Sequence, residues 1–204
     1  GFEMAFKYRK PAMLLSDGVI GQMMEKVELF DPIPRRSEAE IIKECPWATT
    51  GKTPDRERNI ITSLDLDSAK QEEHVIKLGK KYESMKQDVM FENIMTDDAE
   101  YLFVAYGSSA RICQKAVDLA RAEGIKVGLH RPITLYPFPE AELNRLASQM
   151  KGMLSVEMSL GQLVEDVRLA VNGKTKVEHY GRVGGMIHSP SQVVDALKKQ
   201  IIGG

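Results

Sequence analysis

From residue 101 onward the apolar positions alternate between two periods. Tyr101-Leu102-Phe103-Val104-Ala105-Tyr106 is a short apolar run of buried-strand type, closed by Gly107. Ile112, Ala116, Leu119 and Ala120 then recur at helical spacing as far as Gly124. Ile125–His130 predicts a second strand, and Pro137-Phe138-Pro139 a turn. Leu143, Leu146, Ala147 and Met150 mark a second helical stripe, and Met153–Glu157 a third strand. A third helix is expected to bury Leu160, Leu163, Val164, Val167 and Val171. Thr175–Tyr180 is more polar and predicts a strand near a sheet edge. The last helix presents Val193, Val194, Leu197 and Ile201. Strands alternating with helices over short connections imply a mostly parallel sheet covered on both faces, an α/β fold of three α/β/α layers.

The first hundred residues follow a different pattern. Residues 68–94 read as one long amphipathic helix with Val75, Leu78, Tyr82, Met85 and Val89 on one stripe. Ser68-Ala69-Lys70-Gln71 has the form of a capping box at its start. The stripe packs either on its own protein or against another subunit. Residues 25–63 hold Pro32, Pro34, Pro46 and Pro54 and read as an irregular crossover between domains. Residues 11–24 form a buried-strand run with an Asp-Gly turn. A run of this kind suits the end of an α/β domain, so the chain is expected to be a fragment of a longer protein.

Composition changes this picture little. A 43% hydrophobic and 28% charged chain of 204 residues suits one or two globular domains. A formal net charge of -1 gives no expectation of nucleic acid or an anionic membrane surface as partner. No apolar run is long enough for a membrane span. Cys45 and Cys113 read as free thiols of a cytoplasmic protein. His74, His130, His179 and His188 show no metal-ligand spacing, so no metal site is expected.

In an open parallel sheet, ligands and partners gather at the carboxyl ends of the strands. The candidate edge therefore comprises Gly107, Ser108 and Ser109 after the first strand, Arg131 after the second, Glu157 and Ser159 after the third, and Arg182 after the fourth. Gly107-Ser108-Ser109 at a helix start can hold an anion, or Ser108 or Ser109 can simply cap the helix. It is neither a dinucleotide fingerprint nor a phosphate loop with lysine. Gly181-Arg182-Val183-Gly184-Gly185 permits close backbone approach beside a planar cation, or is a flexible turn. No nucleophile–base–acid set is assignable. Ser16-Asp17 and the histidines have no evident partners, and no G-x-S-x-G elbow occurs.

Taken in order, several segments resemble one family: Tyr8-Arg9-Lys10-Pro11 running into Leu15-Ser16-Asp17-Gly18-Val19-Ile20-Gly21-Gln22; the helix containing His74; Ala105-Tyr106-Gly107-Ser108; Arg131–Pro139; Glu157-Met158-Ser159-Leu160-Gly161-Gln162; and Gly181-Arg182-Val183-Gly184-Gly185. The chain resembles the carboxyl-terminal part of the alpha subunit of 2-oxoacid:ferredoxin oxidoreductases, with the Gly-Arg-x-Gly-Gly ending leaning toward the 2-oxoisovalerate type. The resemblance implies a tail of a pyrimidine-binding domain over 1–30, a linker and long helix over 31–100, and a transketolase carboxyl-terminal-like domain over 101–204. It implies an enzyme that decarboxylates a 2-oxoacid on thiamine diphosphate with Mg2+, passes electrons through iron–sulfur clusters to ferredoxin, and delivers the acyl group to coenzyme A. The implied partners are a thiamine-binding beta subunit and the other oxidoreductase subunits. No position matches the family's activating glutamate, so no catalytic residue is expected here, and no cofactor is expected on this chain alone. Two cysteines cannot supply a four-cysteine cluster. Two readings of another class stand beside this one: a non-catalytic interaction module, and a domain that binds a small anion.

Overall fold

Five strands build the sheet, one more than the hydrophobic pattern predicts. The structure, a computed structural model, describes residues 1–18, 20–52 and 54–203. The strands are β1 (Phe91–Ile94), β2 (Tyr101–Val104), β3 (Val127–Pro132), β4 (Gly152–Glu157) and β5 (Lys176–Gly181). Their order is β1-β3-β2-β4-β5, and β2 to β5 run parallel. Successive side chains face opposite layers. Phe103, Ala105, Leu154 and Val156 pack with helices α4 (Gly107–Ala122) and α7 (Pro190–Leu197). Leu102, Val104 and Met153 pack with α5 (Glu140–Ala147) and α6 (Leu163–Val171). The mostly parallel sheet with helices on both faces is thus as expected, and the polar strand β5 lies at an edge.

Two helical stripes differ in detail from expectation. On α4 the buried face is Cys113, Ala116, Val117 and Ala120, while Leu119 is on the rim. Helix α6 starts at Leu163, three residues later than Leu160, which is 88% exposed.

The stretch read as helix through residue 94 divides in two. Helix α3 spans Ser68–Met85, and a single tight turn, Lys86–Asp88, ends it. Its cap is Asp67, whose Oδ1 accepts from the N–H groups of Ala69 and Lys70, not the predicted Ser68 box. Phe91–Ile94 then pairs antiparallel with β3. Met90 leads into it, its N–H donating to Thr134 Oγ1 at 3.0 Å and its carbonyl accepting from the N–H groups of Ile133 and Thr134. Gly128 on β3 sits where a Cβ would lie 2.7 Å from the Met95 carbonyl, so only glycine admits the chain there.

The chain divides into two compact units, Gly1–Gly21 with Tyr82–Gly204, and Gln22–Lys81. The second holds a short helix α2 (Glu38–Glu44), where an irregular crossover is expected. It opens on a reciprocal capping box between Ser37 and Glu40. That Ser-x-x-Glu spacing is a readable start signal which the surrounding prolines obscured. Asn59 Nδ2 ties the loop around Cys45 by donating to the carbonyls of Pro46 and Ala48.

In the first unit, helix α1 (Phe2–Tyr8) docks on the turn after α3. Lys7 pairs with Asp88 at 2.6 Å, the Tyr8 hydroxyl bonds Asp88 and the Ser84 carbonyl, and Lys10 Nζ donates to the Tyr82 hydroxyl at 2.8 Å. Residues 11–17 are exposed, belong to no helix or strand, and pair with no strand among the described residues.

Candidate functional site

Parallel β2, β3, β4 and β5 bring four loops to one edge, which the registers Val104↔His130, Val104↔Ser155 and Glu157↔Gly181 align. At its centre Glu157 ends β4 with a side chain only 3% exposed. A buried carboxylate is costly unless its lone pairs are filled, and here they are. Ser155 Oγ donates to Oε1 at 3.2 Å, and Ser159 Oγ to Oε2 at 2.5 Å. The N–H groups of Gln162, Leu163 and Val164, the start of α6, donate at 2.9, 2.9 and 3.1 Å. Burial alone would raise the Glu157 pKa; the bond from Ser159 and the three main-chain donors outweigh it and hold the carboxyl below its ordinary value. Glu157 is therefore an internal anion at a helix start, not a free acid facing a ligand.

The loop after β2 carries the second anion. Gly107 has φ +56, and Ser108 opens α4. The Ser108 hydroxyl donates to the carboxylate of Asp17, a residue 91 positions earlier. The sequence leaves open an anion or a simple helix cap at Gly107-Ser108-Ser109; in the structure the Asp17 carboxylate lies against Ser108. Ser109, beside it, is 5% exposed. Nothing local signals the Asp17 partner: the contact spans most of the chain.

The two arginines behave differently. Arg131 forms a cross-strand pair with Glu92 of β1 at 2.9 Å. Arg182 is half-buried, and its N–H donates to the Glu157 carbonyl. The same carbonyl accepts from His188 Nε2 at 3.1 Å. His188 is buried and its pKa is lowered, first by burial. His179 Nε2 lies 3.5 Å from Glu157 Oε1. Gly181 is required in this corner, because a Cβ would sit 2.3 Å from the Ser159 carbonyl oxygen. Sequence reasoning missed the histidines around Glu157, and also His130. The His130 ring is fully buried on β3 with Nδ1 2.7 Å from Asn93 Oδ1 on β1. Asn93 Nδ2 donates to Glu142, which Arg145 clamps. That orientation of Asn93 assigns the proton of His130 to Nδ1. Burial pushes the His130 pKa down to about 4.

Thus Glu157, Ser159 and Arg182 come together in one corner, Gly107 and Ser108 meet Asp17, and Arg131 is engaged with β1. No group of three or more His, Cys, Asp or Glu side chains positioned for a metal ion occurs among the described residues.

Residues 99–193 match the family model described as pyruvate:ferredoxin oxidoreductase core domain II. Across 97% of its length the chain is 43% identical to the ketoisovalerate oxidoreductase subunit VorB of Methanothermobacter marburgensis, covering 54% of that protein. Along nearly its whole length the chain is thus similar to a subunit of a 2-oxoacid oxidoreductase. It is also 29% identical, over 96% of its length, to 2-oxoglutarate synthase subunit KorA of the same organism, of which it covers 58%. Among solved structures it is similar in fold to the 2-oxoglutarate:ferredoxin oxidoreductase of Magnetococcus marinus. That likeness has a TM-score of 0.63 at 24% identity and covers 73% of this chain and 27% of that one. The chain spans about half the length of the curated relatives it matches. The region matched by the family model holds all of β2 to β5 and so the carboxyl edge as far as Arg182.

Proposed function

We propose that this chain is part of the alpha subunit of a thiamine-dependent oxidoreductase that converts 2-oxoisovalerate to its acyl-coenzyme A thioester and passes the electrons to ferredoxin. The observation that carries this reading is the 43% identity, end to end, to a ketoisovalerate oxidoreductase subunit. We assign residues 1–30 to the tail of a pyrimidine-binding domain, 31–100 to a linker and long helix, and 101–204 to a transketolase carboxyl-terminal-like domain, with β1 of the linker recruited to its sheet. The role of this part is assembly and shaping of the site, in the cytoplasm, beside a thiamine-binding beta subunit.

The chemistry of its own donors supports a supporting role. Thiamine diphosphate supplies the electron sink for decarboxylation when bound. Activating it takes a carboxylate free to reach the ring, and Glu157 has both oxygens occupied by internal donors. A four-thiolate cluster does not fit either, since the chain has only Cys45 and Cys113, and burial raises the Cys113 thiol pKa. The rival anion-binding reading is weakened because Asp17 already takes the Ser108 hydroxyl at the α4 start and Glu157 the N–H groups at the α6 start. The test is to co-express the subunit, at the length of its relatives, with its genomic neighbours and to assay ferredoxin reduction with several oxoacids. The expected result is coenzyme A-dependent reduction fastest with 2-oxoisovalerate. Reduction with no oxoacid overturns the reading, and a preference for 2-oxoglutarate overturns the substrate assignment.

A further inference from the structure

The carboxyl edge carries an apolar rim that the polar network beneath it does not use. Tyr106 after β2, Met158 and Leu160 after β4, and Val183, Met186 and Ile187 after β5 are 40, 39, 88, 49, 54 and 57% exposed. They follow three strands adjacent in the sheet, β2-β4-β5, and so stand at one edge of it. A second set converges on the same edge. Asp17 is bonded to Ser108, and Met13, Leu14 and Leu15 shortly before it are 82, 84 and 70% exposed. Consecutive exposed apolar side chains outside any helix or strand form a surface of the kind that another part of a folded protein covers. The segment is held at both ends: Lys7, Tyr8 and Lys10 clasp the turn after α3, and Asp17 takes the α4 start.

We infer that the rim Tyr106–Met158–Leu160–Val183–Met186–Ile187 is the seat for the further half that the relatives of this subunit possess, with residues 11–16 a strand of that half's sheet and Asp17 its anchor on Ser108. The inference rests on the proposed membership of a longer alpha subunit, because the chain covers 54% of its ketoisovalerate relative. It adds which surface is covered, by what, and which side chain fixes the register. Asp17 is a positioning residue: its carboxylate accepts from the Ser108 hydroxyl at the α4 start and so sets where the residues before it lie.

Methionine oxidation reads this directly, since peroxide attacks exposed thioethers. Met158 and Met186 lie on the rim, and Met95, 51% exposed at the opposite end of the sheet, is the internal control. In the 204-residue chain all three should oxidise readily. In the subunit expressed alone at the length of its relatives, Met158, Met186 and Met13 should react at least about tenfold more slowly, with Met95 unchanged. Asp17→Ala in that longer subunit should restore much of the oxidation of Met13 and Met158, whereas Asp17→Glu, which keeps the anion, should restore less. Equal oxidation in both lengths overturns the inference. So does protection that appears only when the thiamine-binding subunit is added, which would make that subunit the occupant. Neither outcome affects the oxoacid assay, so the two proposals fail separately.

Discussion

Replacing Glu157 by glutamine should destabilise the α/β unit far more than its conservative shape suggests. The carboxylate accepts from Ser155, Ser159 and three main-chain N–H groups, all at or below 3.2 Å. Glutamine replaces one acceptor oxygen by a donor. If the amide nitrogen takes the Oε2 position it meets the N–H groups of Gln162 and Leu163; if it takes Oε1 it meets that of Val164. Either way at least one buried donor loses its partner, at about 1–3 kcal/mol, and the remaining bonds lose their charge. The favourable field at the α6 start is lost as well, worth about 0.3–1 kcal/mol and more when buried. The sum is about 3–5 kcal/mol, a large part of the roughly 5–15 kcal/mol that holds a domain together. At roughly 3–4 °C per kcal/mol for a unit of this size, Glu157→Gln should melt about 10–20 °C below wild type. The pH dependence gives a second signature. The folded pKa of Glu157 lies below its unfolded value, so its contribution is full above the ordinary carboxyl range and is lost as pH falls through the folded value. The gap between wild type and variant should therefore be constant near neutrality and shrink in acid. Melts followed by circular dichroism at pH 7.5 and pH 4 test both. A variant within about 2 °C of wild type, with a gap independent of pH, refutes the capping argument.

Two further outcomes follow from β1. His130 titrates near 4 in the fold against about 6.5 unfolded, so the unfolded chain binds the extra proton first. Stability should be full above pH 6.5 and fall by about 3 kcal/mol on the way to pH 4, and His130→Gln should flatten that slope in urea titrations; an unchanged slope would place the acid lability elsewhere. Separately, a fragment starting at residue 89 should melt cooperatively, whereas one starting at residue 101 loses Asn93 and leaves the buried His130 Nδ1 unpaired. Equal melting of the two fragments would show that β1 adds nothing to the core.

What the sequence disclosed and what it hid have a common cause. β2 to β5 and their helices were legible because each buries both faces or one stripe, and burial on a period is written in the residues themselves. β1 was not, because Phe91-Glu92-Asn93-Ile94 alternates weakly and follows a helix whose stripe continues in phase through Val89. It is a strand only because Met90, Asn93 and Glu92 find Thr134, His130 and Arg131 roughly forty residues on, on and just after β3, its neighbour in the sheet. That these loops share one edge follows from the parallel strands, which fix where loops go. Their roles were not legible. Glu157 and Ser108 differ from free site residues only through partners supplied by tertiary structure, three N–H groups of α6 in one case and Asp17 in the other.

If Asp17 and Glu157 hold the anion positions of this edge, phosphate finds no open site there and the edge is left to contact protein. Amide chemical shifts of Ser108, Ser109, Gln162 and Leu163 during a titration with inorganic phosphate decide this. No saturable shift is expected in the wild-type chain at millimolar phosphate, and a new saturable shift at Ser108 and Ser109 in Asp17→Ala. Saturable binding at these amides in the wild type would overturn it.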